Sequence, residues 1–236
     1  MTYDYNSKIY LAEAVKSSYG LYHMAIMLPS REDSADVFKH IAELDYPFVG
    51  AADHGYSEAL YLEDLEGNGI ELYRDKTVAE WDIREDGRIV GVTEALSAQE
   101  IYEMGRKVEP FVIAKDTRMG HIHLLVKDSQ LATAFYQDVL ELADKFTISS
   151  ASWIASGDYH HHLAVNEWGG KNLVKREEDM PSLAHYVLEV ANKEDLITIA
   201  ERAKNRGAEV KWLSSNALIF EDNDGILTRV RKNINN

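Results

Sequence analysis

Cysteine is absent from the 236 residues, which removes disulfides, thiolate metal sites and thiol nucleophiles together. Proline is scarce at four residues, and fourteen glycines are too few for a collagen-like or low-complexity chain. Long apolar runs are missing too: Met24–Leu28 is among the longest, far below the roughly 18 residues of a membrane span. Met1–Ser18 has two lysines and scattered apolar residues but no continuous apolar stretch, so no signal peptide is expected there. Positive charge is in deficit, with 25 Lys and Arg against 40 Asp and Glu and a net charge of −15. Such a surface repels phosphate backbones and anionic lipid, so neither nucleic acid nor membrane is expected as a partner. The cytoplasm is the expected location.

What the chain does contain is a repeat. Gly20–Leu28, Met119–Val126 and Leu183–Val190 are short β-rich runs, each with a histidine near its start: His23, His121 and His185. Each leads through a polar turn into a helical pattern, over Arg31–Leu44, Ser129–Leu142 and Lys193–Arg206. In the middle helix Leu131, Ala134, Phe135, Val139 and Leu142 follow the spacing of a buried face. Strand-like runs come next: Ser57–Leu62 and Gly69–Tyr73, then Trp153–Ser156 and Tyr159–Asn166, then Asn216–Phe220 and Ile226–Val230. Aligning Gly67 with Gly225 places Asp64 on Asp222 and Glu71 on Arg229. The order is strand, helix, hairpin-rich sheet, three times over. Residues 74–118, with Trp81 and a helix expected at Ala98–Lys107, read as a linker. Residues 1–19 lie outside the repeat, with a lone strand expected over Lys8–Val15.

Iron(II) sites that activate oxygen commonly use two histidines and one carboxylate and leave other positions open. His23 and His121 open the first strands of two units, and Glu71 lies in the last strand of the first. His121 and His123 share a sheet face, so spacing alone does not choose between them. The repeat does, because His121 aligns with His23. Taken singly, a histidine that opens a strand is more often structural than a ligand. The recurrence of histidine at equivalent positions, beside the Gly-Asn-Gly-Ile-Glu-Leu run, carries the argument.

The stretches GLYHMAIMLP, DHGYSEALYLEDLEGNGIELYRD, MGHIHLLVKDSQLATAFYQDVLEL and GDYHHHLAVNEW resemble the catechol-2,3-dioxygenase-like proteins of the vicinal oxygen chelate superfamily, which joins glyoxalases and type I extradiol dioxygenases. The resemblance runs from about residue 20 to 230. It implies an α+β chain of three βαβββ modules with incurved mixed sheets, at residues 20–73, 119–168 and 182–236, joined by linkers at 74–118 and 169–181. It implies His23, Glu71 and His121 as ligands of Fe(II), with Mn, Zn or Ni as alternatives. It further implies His161 as an acid/base beside the metal, Tyr61 facing the substrate, and His54 hydrogen-bonding it. The implied reactants are a small aromatic diol and dioxygen, the implied reaction is extradiol ring cleavage, and a homo-oligomer is expected.

Two features depart from the family pattern. The relatives have four modules, and the first is missing here. In the last module the glutamate position holds Arg229, whose guanidinium has no lone pair for a metal, so His185 reads as vestigial. The exposed concave face of that module is then expected to be covered by a second subunit or by residues 1–19. Two other readings keep the fold: a glyoxalase-type isomerase or lyase, which tends to carry a second glutamate where this chain has its HHH run, and a non-catalytic small-molecule binder.

Overall fold

In a computed structural model of the chain, residues 18–177 and 182–233 are described; the strand expected over Lys8–Val15 lies outside them. Among the described residues two compact units emerge, one of residues 23–120 and the other of residues 18–22 with 121–177 and 182–233. The division passes through two strands, so each unit is described by itself.

The unit of residues 23–120 holds most of the first repeat. Its elements are β1 (Gly20–Met27, which begins in the other unit), α1 (Arg31–Glu43), β2 (Gly50–Asp53), β3 (Ser57–Glu63) and β4 (Gly69–Asp75). β1 runs parallel to β4, and β4, β3 and β2 follow as an antiparallel series. Ser30 caps α1 by accepting from Asp33 N–H at 3.0 Å, which satisfies one of the donors a helix start leaves open. The helix packs Ala35, Val37 and Phe38 against Leu60, Leu62 and Leu72 of the sheet.

The segment expected to be a linker is more than a tether. It carries β5 (Asp82–Ile83) and β6 (Ile89–Val90), which form a small hairpin. It then adds β7 (Glu94–Ala95) antiparallel to β2, and ends in α2 (Ala98–Met104). That helix stops three residues short of the expected Lys107, because Arg106 turns back to Asp36: its backbone N–H and guanidinium both donate to the carboxylate. These contacts hold Asp36 below the usual carboxylate range against the opposing effect of burial.

The other unit contains two modules. β8 (Arg118–Leu125, which begins in the first unit), α3 (Ser129–Leu140), β9 (Ala143–Ile148), β10 (Ala151–Ala155) and β11 (Leu163–Asn166) form one. β12 (Tyr186–Val190), α4 (Lys193–Asn205), β13 (Val210–Ser214), β14 (Ala217–Glu221) and β15 (Leu227–Lys232) form the next. The pairing repeats that of the first module: β8 with β11 and β12 with β15 are parallel, and the remaining pairs are antiparallel. Asp128 and Asn192 cap the two helices. The modules share a core of Phe135 and Val139 from α3, Leu196 and Ile199 from α4, and Leu124, Leu188 and Phe220 from the sheets. Leu131, expected on the buried face of α3, is 63% exposed. The buried face is instead set by Ala132, Phe135, Tyr136, Val139 and Leu140, a one-residue rotation that leaves Leu131 in the first turn pointing outward.

The alignment of Gly67 with Gly225 is visible as one turn made twice. Asp64 N–H donates to Asn68 O and Gly67 N–H to Asp64 O; Asp222 N–H donates to Ile226 O and Gly225 N–H to Asp222 O. Both glycines have φ near +80 to +90°, a region where a Cβ is strained. Each aspartate also accepts from two backbone N–H groups of its own turn.

Asp222 differs from Asp64 in being buried and in accepting from Tyr136 Oη at 2.6 Å. Burial pushes its pKa up to about 6, beyond what the hydrogen bonds restore. A raised carboxyl pKa stabilises the fold fully below its ordinary value, and that contribution fades as pH climbs through 6. An asparagine can keep both backbone bonds on its oxygen and donate from its amide to Tyr136 Oη, without titrating. Asp222→Asn should therefore lose less stability between pH 5 and pH 7.5 than the native chain, by on the order of 1 kcal/mol. Urea unfolding at the two pH values checks this; parallel losses would refute it.

Candidate metal centre

Strand register decides which side chains share a face. In the first module His23 sits opposite Gly69, and Ala25 opposite Glu71. Because side chains alternate along a strand, His23, Ala25 and Glu71 face the same way. Ile26, Ile70 and Leu72 take the opposite face, toward α1. His23 Nε2 and Glu71 Oε2 are 2.9 Å apart, and both residues are buried.

In the next module Ile122 and Leu124 enter the core, which turns His121 and His123 to the other face. His121 is buried, and its ring lies 4.0 Å from that of His161. His23 and Glu71 thus form one buried pair in the first module, and His121 is buried at the equivalent strand of the next. Imidazole and carboxylate donors withdrawn from water in this way suit a divalent transition metal. β8 enters tightly: a Cβ on Gly120 would collide with Tyr73 Oη.

Register also settles what stands at the Glu71 position in the other modules. His123 lies opposite Ala164, so the second module has alanine there, and the HHH run precedes β11 rather than occupying that place. In the third, Val187 lies opposite Arg229, as the repeat implied. His185 falls just before β12. Burial, and then the Arg229 charge, lower its proton affinity.

The remaining expected residues fall into two groups. Tyr61 lies directly across from Glu71 on β3, with its ring 5.7 Å from His23. His54 Nε2 is 2.7 Å from Tyr61 Oη, and its Nδ1 is 2.9 Å from Val92 O. A carbonyl can only accept, so Nδ1 carries the proton; in the neutral ring Nε2 then accepts from the tyrosine hydroxyl. Val92 N–H in turn donates to His54 O. The loop is fixed further by Asp53, which accepts from Gly55 N–H and pairs with Lys76 at 2.5 Å. Burial would raise the Asp53 pKa, but Lys76 and Gly55 bring it below the ordinary value. Nothing in the sequence pointed to Val92, which lies in the supposed linker.

The second group is the HHH run. Ser156 N–H donates to His162 Nδ1, which ties that ring to the turn. His160 and His161 are buried, with their Nδ1 atoms 2.7 Å apart, so a single proton is shared between them. Tyr159 lies against His160 at 4.0 Å. His160 was missed by sequence reasoning, because three consecutive histidines give no sign of which rings meet. His123 is kept apart by a different bond. Asn166 Oδ1 accepts from Trp168 N–H, which orients the amide so that Nδ2 donates to His123 Nε2 at 2.9 Å.

Since a side chain at Gly120 must displace β8 or Tyr73, Gly120→Ala should weaken Fe(II) or Mn(II) binding roughly tenfold or more, given the sensitivity of such sites to shifts of about 1 Å. Metal titration by calorimetry tests it; unchanged affinity in a folded variant would contradict the placement.

Comparison with known proteins identifies the family. Residues 118–230 match the Glyoxalase/Bleomycin resistance protein/Dioxygenase superfamily. A catechol-2,3-dioxygenase of Bacillus subtilis (strain 168) is 35% identical over 198 residues, covering 83% of this chain and 69% of that protein. A crystal structure assigned to a dioxygenase of Bacillus subtilis subsp. subtilis str. 168 superposes with a TM-score of 0.59 at 12% identity. It covers 91% of this chain, which spans only 62% of that one. A fosfomycin resistance protein, FosX, of Listeria monocytogenes matches 50% of this chain and 91% of its own at 20% identity, with a TM-score of 0.39. The chain belongs to the glyoxalase/bleomycin resistance/dioxygenase superfamily, the vicinal oxygen chelate proteins, and within it resembles the catechol-2,3-dioxygenases.

Proposed function

We propose that the protein is an extradiol dioxygenase that opens the ring of a catechol with both atoms of dioxygen, using ferrous iron held by His23, Glu71 and His121. The observation that carries the reading is the buried pairing of His23 with Glu71 on one face of the first module, with His121 buried at the equivalent strand of the next. It is supported by 35% identity to a catechol-2,3-dioxygenase. Bound there, iron would supply Lewis acidity toward the diol hydroxyls and redox chemistry with dioxygen.

The protein's own part is orientation and proton transfer. Tyr61 and His54 form a relay whose direction is set by Val92 O, so the Tyr61 oxygen, its proton committed to His54, can accept a hydrogen bond from a diol hydroxyl. His161, against His121, is the acid/base that takes a proton from the diol side and returns it to the opening ring. His160 is a positioning residue: by sharing a proton at Nδ1 it leaves His161 Nε2 as the working atom.

The glyoxalase-type alternative is disfavoured by Ala164, which leaves the second module without a carboxylate at the matching register. A purely binding role is disfavoured by the retained donor set. A cytoplasmic, homo-oligomeric enzyme remains the proposal for location and assembly; among the described residues no helix is long and apolar enough to cross a membrane.

Anaerobically loaded Fe(II) protein should consume one oxygen per catechol and form a yellow ring-fission product. Absence of oxygen uptake across a catechol panel, in protein that retains iron, would overturn the reading. His161→Ala should lower kcat by roughly 100-fold or more with iron content unchanged, whereas Glu71→Ala should lose the iron itself. Metal analysis beside oxygen electrode rates separates the two.

A further inference from the structure

The sheet of the third module carries a charge pattern on the face turned away from its helix. Leu188, Leu218 and Val230 enter the core shared with α4, so the residues that alternate with them take the other face. Register sets Val187 of β12, Arg229 of β15, Ile219 of β14 and Lys211 of β13 in one row across the four strands. The two strand carboxylates of that face are already committed. Glu189 accepts from Arg231 Nε at 2.6 Å, and Glu221 pairs with Lys175. Among the described residues, Arg229 and Lys211 have neither an ion pair nor a side-chain hydrogen bond.

Arg229 is the sharper anomaly. Its side chain is half-buried, and Nε is withdrawn from water with no acceptor, although acids outnumber bases in this chain by 40 to 25. A guanidinium cannot shed its proton, so a donor left in this state costs free energy until an anion meets it. Val187, which is buried, and Ile219, which is half-buried, flank it with apolar surface, where a charged contact is stronger than in water. His185 is close enough for the Arg229 charge to lower its proton affinity, so the imidazole adds no second charge near neutrality. Strands lie about 4.8 Å apart, which puts the Lys211 backbone roughly 10 Å from that of Arg229, a span that two long side chains can bridge through one ligand.

We propose that Arg229 and Lys211, on either side of Ile219, form a binding site for the carboxylate of a small organic acid. The planar fork of the guanidinium matches a carboxylate through two parallel N–H···O bonds. Val187 and Ile219 then take up the apolar body of the acid. Inorganic phosphate would meet the same cations but leave those apolar flanks uncovered, which favours the organic acid. The site lies in the module whose register holds a cation where the first module has Glu71, and it stands independently of the dioxygenase reading.

Calorimetric titration of the full chain with benzoate, benzamide and inorganic phosphate tests the site. Benzoate should bind more tightly than phosphate, and benzamide, of the same shape without the charge, should not bind. Added salt should weaken benzoate binding, and titrations with iron loaded or removed should agree. Arg229→Gln should weaken benzoate by roughly tenfold or more, and Lys211→Gln by roughly threefold. Since the native guanidinium is unpaired, Arg229→Gln should leave the Tm unchanged or raised, which separates lost binding from lost fold. Should that variant fail to fold, Lys211→Gln and the comparison with benzamide still decide. Equal binding of benzoate and benzamide, tighter binding of phosphate, full affinity in both variants, or binding that disappears with the iron would each overturn the site. So would a native chain that binds no benzoate while Arg229→Gln sediments as a smaller species, because the guanidinium would then belong to a contact with a second copy of the chain.

Discussion

Each module closes by laying its last strand parallel to its first, and the chemistry of the chain depends on that pairing. Parallel ladders are held by backbone hydrogen bonds, so their register is indifferent to most of the side chains they carry. In the first module the ladder brings Glu71 to the face of His23. The same ladder brings Ala164 beside His123 in the second and Arg229 beside Val187 in the third. One backbone arrangement thus carries a buried carboxylate in one module, a buried alanine in the next and a cation in the third. Function is written on the ladder by single residues while the fold stays constant.

The catalytic proposal leans equally on what fixes the orientation of polar side chains. A histidine ring can place its proton on either nitrogen, and the direction of any relay depends on which. Here backbone groups make the choice: Val92 O for His54, and Trp168 N–H, acting through Asn166, for His123. Val92 reaches its place because the segment after the first module folds back, adding β7 to the edge of β2 and hydrogen-bonding His54 in both directions. A stretch with no strong periodicity therefore supplies a constraint on the site.

Burial takes its own toll in the shared core of the second and third modules. The aspartate that makes an exposed turn in the first repeat is, at Asp222, enclosed with Tyr136, and burial raises its proton affinity. The tyrosine hydroxyl is held out of water along with it, and burial raises its pKa well above the ordinary value. The repeat kept the turn because two backbone N–H groups need that carboxylate. The cost of enclosing it is the consequence of packing one module on another.

Sequence alone determined the local and periodic features: three strand–helix–sheet repeats, the paired Asp-to-Gly turns, the helices within a few residues, and the candidacy of His23, Glu71, His121, Tyr61, His54 and His161. These were legible because alternation, helical spacing and turn chemistry act between near neighbours, and because three copies of one pattern expose the positions that differ. Tertiary structure alone decided the rest. Which face of α3 is buried, that Ala164 rather than a histidine stands at the glutamate register, that His160 pairs with His161, and that Val92 orients His54 all depend on contacts between distant segments. Such contacts are fixed by ladder register and by core packing across many residues at once, and no local pattern along the chain encodes them.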